Sequence, residues 1–225
     1  MTFSLVARCA ETGQFGVAIS SSSPAVAARC AFARAGVGAV ASQNVTDPRL
    51  GTAALDLMAG GMSAAQAVAK LVATRDHMDY RQVLTVDAQG VTGIHSGPNS
   101  LGIWTSAMGR DAVSGGNLLA NDGVPTAIVA GFETATGPLG DRLIAAMRAG
   151  LKAGGEAGPV RSAGLLIVDR QAWPYAELRC DWIDDGCPID FISRAWQVYA
   201  PQAKDYVTRA LNPAAAPSYG VPGDE

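Results

Sequence analysis

Histidine is nearly absent from this sequence: His77 and His95 are its two copies in 225 residues. A metal centre built on imidazole therefore has little to draw on. Cysteine is sparse too, with Cys9, Cys30, Cys180 and Cys187 making four. That density excludes a disulfide-stapled scaffold, and free thiols are the expectation in a reducing cytosol. The acids between Cys180 and Cys187 and their wide spacing do not match paired zinc ligands. No metal and no other cofactor is expected. Long apolar runs are missing as well; none reaches the roughly 18 residues that span a bilayer. The first residues lack the basic and then apolar pattern of a secretory leader, so a cytoplasmic protein with no membrane partner is expected. Nor is there a surplus of positive charge. Seventeen basic against twenty acidic residues leave a net charge of −3 with no basic tract, which argues against nucleic acid as a partner.

What remains is a chain with 48% hydrophobic and 16% charged residues, a balance typical of a globular fold. No internal repeat or linker divides it. A single domain is expected over residues 1–211, followed by a loose Pro/Gly-rich tail over 212–225.

The pattern alternates between strands and helices. "TFSLVARC" and "FGVAISSS" read as two strands joined through "AETGQ", where Gly13 suits a turn. A third strand follows in "VGAVASQN" over 37–44. Helix signals come next, with Asp47 as N-cap, Pro48 at the first helical position and a stop at Gly60-Gly61. A second helix opens with the capping-box pattern Ser63-x-x-Gln66. Two strands flank Gln89-Gly90, and further strands are expected over 103–107 and 112–119. Helical spacing returns in "VPTAIVAGFETA" and "GPLGDRLIAAMRAGLKAG". A last hairpin lies in "SAGLLIVDRQAWPYAELRCDW", and Pro188 to Leu211 reads as one long amphipathic helix. This order fits an α+β sandwich of sheets covered by helices.

The strand that begins at residue 2 raises a chemical question. Pairing the first two strands with Glu11 opposite Gln14 places Thr2 opposite Ser23, and in any nearby register beside the cluster Ser20–Ser23. The third strand ends in Ser42, Gln43 and Asn44, just before a helix N-terminus with its unpaired N–H groups. If Met1 is removed, Thr2 carries a hydroxyl and a free α-amine on one residue. An α-amine has a pKa of about 7.7–8.0 and can take the hydroxyl's proton near neutrality. A strand fixed in a sheet would hold such a nucleophile still.

The stretches "TFSLVAR…TGQFGVAISS", "ARAGVGAVASQNVTDPRLG", "SGGNLLA", "GPLGDRL" and "SAGLLIV", in this order, resemble a bacterial family of unknown function assigned to the N-terminal-nucleophile (Ntn) hydrolase superfamily. "LRCDWIDDGCPID" extends the resemblance towards residue 190. It implies a four-layer αββα sandwich and a hydrolase-like site, without a substrate. By similarity to threonine-type Ntn enzymes, Thr2 is the nucleophile, and Ser22 or Ser23 is a helper on the returning strand. Arg34 falls where those enzymes keep a lysine; it can supply charge but not relay a proton. Asn117 belongs to the Gly-Asn-Leu motif. "PVRSAG" departs from the family's Arg-Gln-Ser-Ala pattern, which leaves Arg161 without a firm counterpart.

Each residue also has a plainer reading. Ser21 to Ser23 would serve equally as a solvated strand end. Gln43 and Asn44 would serve as caps for the next helix or as oxyanion donors. Asn117 suits a turn, His95 a structural hydrogen bond, Arg34 a surface charge, and Asp184-Asp185 the approach to the last helix. The expected function is amide hydrolysis of a small amide or peptide-like substrate by Thr2, with Ser21, Gln43, Asn44 and His95 around the substrate. The competing expectation is a non-catalytic small-molecule-binding protein on the same scaffold that keeps Met1. Self-association into a homo-oligomer stays open.

Overall fold

The first strand is buried on both faces, with apolar residues on one side and a valine beside two hydroxyl residues on the other. In the computed structural model, which describes residues 1–224, β1 (Thr2–Arg8) turns Phe3, Leu5 and Ala7 to one side. The alternate residues Thr2, Ser4 and Val6 face the other way, as strand geometry requires. β1 pairs antiparallel with β2 (Phe15–Ser21), and the hairpin register sets Thr2 against Ser21 rather than Ser23. The cause lies in the turn. Cys9 N–H donates to the Gln14 carbonyl at 2.8 Å, closing a four-residue loop in which Gly13 takes φ 78°. The hairpin is thus centred one residue earlier than the Glu11–Gln14 pairing assumed.

A short helix α1 (Val26–Cys30) and a four-residue strand β3 (Ala31–Arg34) follow. Neither was expected, because five and four residues are too few to show a hydrophobic period. β4 (Gly38–Asn44) fulfils the expected strand at 37–44. Helix α2 (Arg49–Ala59) begins one residue later than expected, with Pro48 rather than Asp47 at the cap position, while Asp47 Oδ1 accepts the Arg49 N–H at 3.0 Å. Helix α3 (Ala64–Thr74) carries the complete Ser63/Gln66 capping box. Strands β5 (Arg81–Asp87) and β6 (Thr92–Ser96) flank a turn in which Gly90 adopts φ 82°. β7 (Thr105–Gly109) and β8 (Ala112–Asn117) form the next hairpin. Helices α4 (Val124–Thr134) and α5 (Leu139–Lys152) precede the hairpin of β9 (Ser162–Val168) and β10 (Ala176–Cys180).

The expected long helix from Pro188 to Leu211 is two helices, α6 (Pro188–Tyr199) and α7 (Ala203–Leu211). A 3₁₀ turn over Ala200–Gln202 separates them. Pro201 has no N–H to continue the ladder and crowds the preceding turn, so the helix breaks there. Residues 212–224 fold back on α7: the Arg209 guanidinium lies 3.8 Å from the Tyr219 ring centroid and donates to the carbonyls of Pro217 and Ser218. Glu225, the last residue of the expected loose tail, lies outside the described residues.

The strands form two antiparallel sheets, one in the order β10-β9-β2-β1-β8-β7 and one in the order β3-β4-β5-β6. Apolar clusters fill the space around them. Phe3, Leu5, Ile128, Phe132, Leu143 and Trp196 join the larger sheet to α4, α5 and α6. Val6, Val17, Ala41, Leu84 and Val113 lie between the sheets. Val40, Leu50, Leu55, Val68 and Leu71 join the smaller sheet to α2 and α3. No helix among the described residues is long and apolar enough to cross a membrane.

Candidate functional site

The face of β1 that meets the smaller sheet changes character along its length. Val6 packs into the apolar cluster between the sheets, whereas Ser4 and Thr2 enter a polar one. Thr2 pairs with Ser21 on one side and Asn117 on the other, and Ser21 pairs with Ser162. Directly opposed residues in antiparallel strands project to the same face. Ser162, Ser21, Thr2 and Asn117 therefore form one polar row across four strands, and all four are buried.

Thr2 Oγ1 donates to the Met1 carbonyl at 2.5 Å and lies 3.3 Å from Ser21 Oγ. Ser21 Oγ also donates to the Met1 carbonyl. The same Ser21 oxygen sits 2.9 Å from Ser23 Oγ and accepts the Ser23 N–H at 3.0 Å. Arg29 Nη2 in turn donates to Ser23 Oγ at 3.0 Å. The result is a run of hydroxyls from Thr2 through Ser21 and Ser23 to a guanidinium. Ser23 thus touches Thr2 at one remove, because β2 ends at Ser21 and the chain turns away. Ser22 contributes its backbone, donating its N–H to Glu156 Oε2 at 2.9 Å.

On the other side of Thr2 lies a buried amide chain. Ser4 Oγ donates to Gln43 Oε1 at 2.7 Å, and Gln43 Nε2 donates to Gln82 Oε1 at 2.6 Å and to the Gly115 carbonyl at 3.1 Å. Gln82 Nε2 reaches Ser96 Oγ and the Gly116 carbonyl, and Asn117 Nδ2 lies 3.4 Å from Gln82 Oε1. A Cβ at Gly115 would stand 3.0 Å from Leu84 Cδ2 and press on that side chain. Each glutamine, fully buried, finds partners for its amide, as low-dielectric burial demands.

Other sequence-derived candidates lie apart from this cluster or serve the frame. Arg34 ends β3 and forms an exposed ion pair with Asp56 at 2.8 Å. It pairs with Gly38, at the far end of β4 from Gln43, roughly 17 Å of strand away. The charge that reaches the hydroxyl run belongs to Arg29 instead. Asn44 takes φ 72° and ties two loops together, donating to the Tyr80 carbonyl at 2.6 Å and accepting the Leu101 N–H at 3.2 Å. His95 hydrogen-bonds the Met78 carbonyl at 2.7 Å, a strand-to-turn tie. Asp184 and Asp185 lie in the loop before α6, where the Arg161 guanidinium donates to the Asp184 carbonyl.

Sequence reasoning missed Glu156. It lies between α5 and β9, is 5% exposed, and leaves Oε1 with no hydrogen-bond partner. Burial drives its pKa up from 4.5 to about 7, opposed by the positive amino group of Met1 and by the Ser22 N–H. No spacing pattern marks it; a lone acid in "GGEAGP" reads as a loop. A cleft of about 630 Å³ lies at the opposite end of β1 and is lined by Cys9, Thr12, Arg142, Tyr175 and Trp196.

The family model described as "Family of unknown function (DUF1028)" matches residues 2–190. Among solved structures, a crystal structure of a protein from Silicibacter pomeroyi, assigned to that same family model, superposes with a TM-score of 0.84 at 26% identity. The match covers 91% of this chain and 89% of that one. Anbu (ancestral beta-subunit) from Yersinia bercovieri matches at a TM-score of 0.38 and 12% identity, over 91% of this chain and 97% of its own. An Anbu mutant from Hyphomicrobium sp. strain MC1 gives 0.42 and 12%, over 92% and 99%. At such TM-scores these two carry no argument. No match was found among curated proteins.

Proposed function

Because the chain belongs to the DUF1028 family, whose description names no activity, we propose from the geometry around Thr2 that it is an N-terminal-nucleophile amidohydrolase. In this reading the two sheets and their helices form the αββα sandwich of such enzymes, with Thr2 as nucleophile once Met1 is removed. The observation that carries the reading is the double hold on one carbonyl: Thr2 Oγ1 and Ser21 Oγ both donate to the oxygen of the Met1–Thr2 amide.

Removal of Met1 turns the Thr2 nitrogen from an amide into an amine able to accept a proton near neutral pH. Thr2 Oγ1 then attacks the carbonyl carbon of a small amide, and its proton passes to the amine directly or through water. Ser21 Oγ is placed to donate to the carbonyl oxygen as it gains negative charge. Collapse breaks the carbon–nitrogen bond, the leaving amine takes the proton, and an ester on Thr2 remains. Water splits that ester, restoring the hydroxyl and releasing the acid. Ser23 and Arg29 position the Ser21 hydroxyl, while Asn117 and the Gln82–Gln43 chain fix the other flank of Thr2. Arg34, Asn44 and His95 take no part.

Intact mass before and after methionine aminopeptidase treatment, followed by an amide panel, tests this. The trimmed protein should hydrolyse at least one amide, and Thr2→Ala should abolish that turnover while Thr2→Ser retains some. Fully trimmed protein with no turnover, or a Thr2→Ala rate equal to wild type, rejects it. The cleft at the Cys9 end of β1 favours the second reading, a binding protein that keeps Met1. That reading expects an untrimmed mass and a ligand whose binding is sensitive to Arg142→Ala but not to Thr2→Ala.

A further inference from the structure

The position of Met1 carries more than a blocked nucleophile. Its carbonyl is held by the two hydroxyls that the proposed reaction would direct at a substrate carbonyl. Its side chain runs against the loop that follows Glu156: a Cβ built on Gly158 would lie 3.0 Å from Met1 Cε and 3.5 Å from Sδ. Met1 is half-buried there. Glu156 itself accepts the N–H of Ser22, the neighbour of the Ser21 that holds the Met1 carbonyl. One carboxylate oxygen of this buried residue has no partner, and an orphaned buried acceptor invites a donor.

We propose that the space filled by Met1 is the acyl subsite of the trimmed protein, and that it selects an L-aminoacyl group: carbonyl at Ser21, straight apolar side chain along Gly158, and α-ammonium towards Glu156. The substrates are then aminoacyl amides or peptide N-termini with a free amine, not N-acylated compounds. This rests on the reading of Thr2 as a nucleophile. The positive amino group of Met1 already opposes the burial-driven rise in the Glu156 pKa, as a bound substrate ammonium would. Gly158 sets the width of the side-chain channel, since even one methyl there meets the end of the methionine.

The experiment uses protein trimmed of Met1, verified by mass, at pH 8. L-methionine amide and its N-acetyl derivative are compared by kcat/KM, expected to favour the free amine by roughly tenfold or more, as a partly buried charge pair supplies. Glu156→Gln should bring that ratio towards one, and Gly158→Val should raise KM for methionine amide more than for glycine amide. Equal or reversed preference, or a ratio untouched by Glu156→Gln, overturns the subsite while leaving the nucleophile reading standing. If neither amide turns over, the wider amide panel decides the nucleophile reading, and calorimetric titration of L-methionine amide into trimmed Thr2→Ala protein decides the subsite. Binding weakened by both Glu156→Gln and Gly158→Val supports it; no binding, or binding indifferent to both, overturns it.

Discussion

Thr2 and Asn117, separated by 115 positions in the sequence, stand directly opposite each other across the β1–β8 pair. Their side chains share the face that meets the smaller sheet, and Asn117 Nδ2 reaches Gln82 there. Asn117→Ala should therefore leave Gln82 with Gln43 as its remaining amide neighbour and loosen one flank of Thr2. The expected outcome in trimmed protein is a fall in kcat with little change in KM, measured on whichever amide the panel identifies. A fall in KM affinity alone would assign Asn117 to substrate contact instead.

The amide chain between the sheets should dominate local stability. Gln43→Ala strands the Ser4 hydroxyl in a dry interior and leaves Gln82 Oε1 with only the 3.4 Å contact from Asn117 Nδ2. Each buried orphan costs about 1–3 kcal/mol, so urea unfolding should show a loss in the low single digits of kcal/mol. The double substitution Gln43→Leu with Gln82→Leu should cost less than the two single losses added, because it removes both ends of the same bond.

Stability should depend on pH through Glu156. Its pKa is about 7 folded against 4.5 for an unperturbed glutamate, so the folded state binds the extra proton between those values. Stability therefore falls as pH rises from 4.5 to 7, by about 3 kcal/mol in the Met1-bearing protein at roughly 1.4 kcal/mol per pH unit. Below 4.5 both states are protonated and the contribution vanishes. Glu156→Gln should flatten this slope, as read by denaturant midpoints at pH 5 and pH 8; an unchanged slope would mean another group titrates.

The ion pair of Arg34 with Asp56 should matter little. Both side chains are well exposed, and such pairs contribute about 0–1 kcal/mol. Arg34→Ala should leave the unfolding midpoint nearly unchanged, whereas Arg29→Ala, which removes the guanidinium from Ser23, should lower turnover of the trimmed protein. Equal effects of the two substitutions on turnover would remove Arg29 from the proposed positioning of the Ser21 hydroxyl.

Local chemistry made much of the fold legible. The capping box at Ser63 and Gln66, the Asp47-Pro48 helix start and the Gly90 turn depend on residues a few positions apart, and each appears at its signal or, for the helix start, one residue beyond it. Thr2 at the head of a strand was equally visible, because "TFSLVAR" needs only its own apolar content to be extended. The pairing of Thr2 with Ser21 was decided by the loop closed between Cys9 and Gln14, a two-residue difference that composition does not encode. Arg29, Gln82 and Glu156 reach the site from α1, from β5 and from the loop before β9, and no spacing in the chain announces them. Sequence determines what a segment prefers through contacts within a turn or a strand. Which buried polar groups must share partners is set only when distant strands close on each other and water leaves.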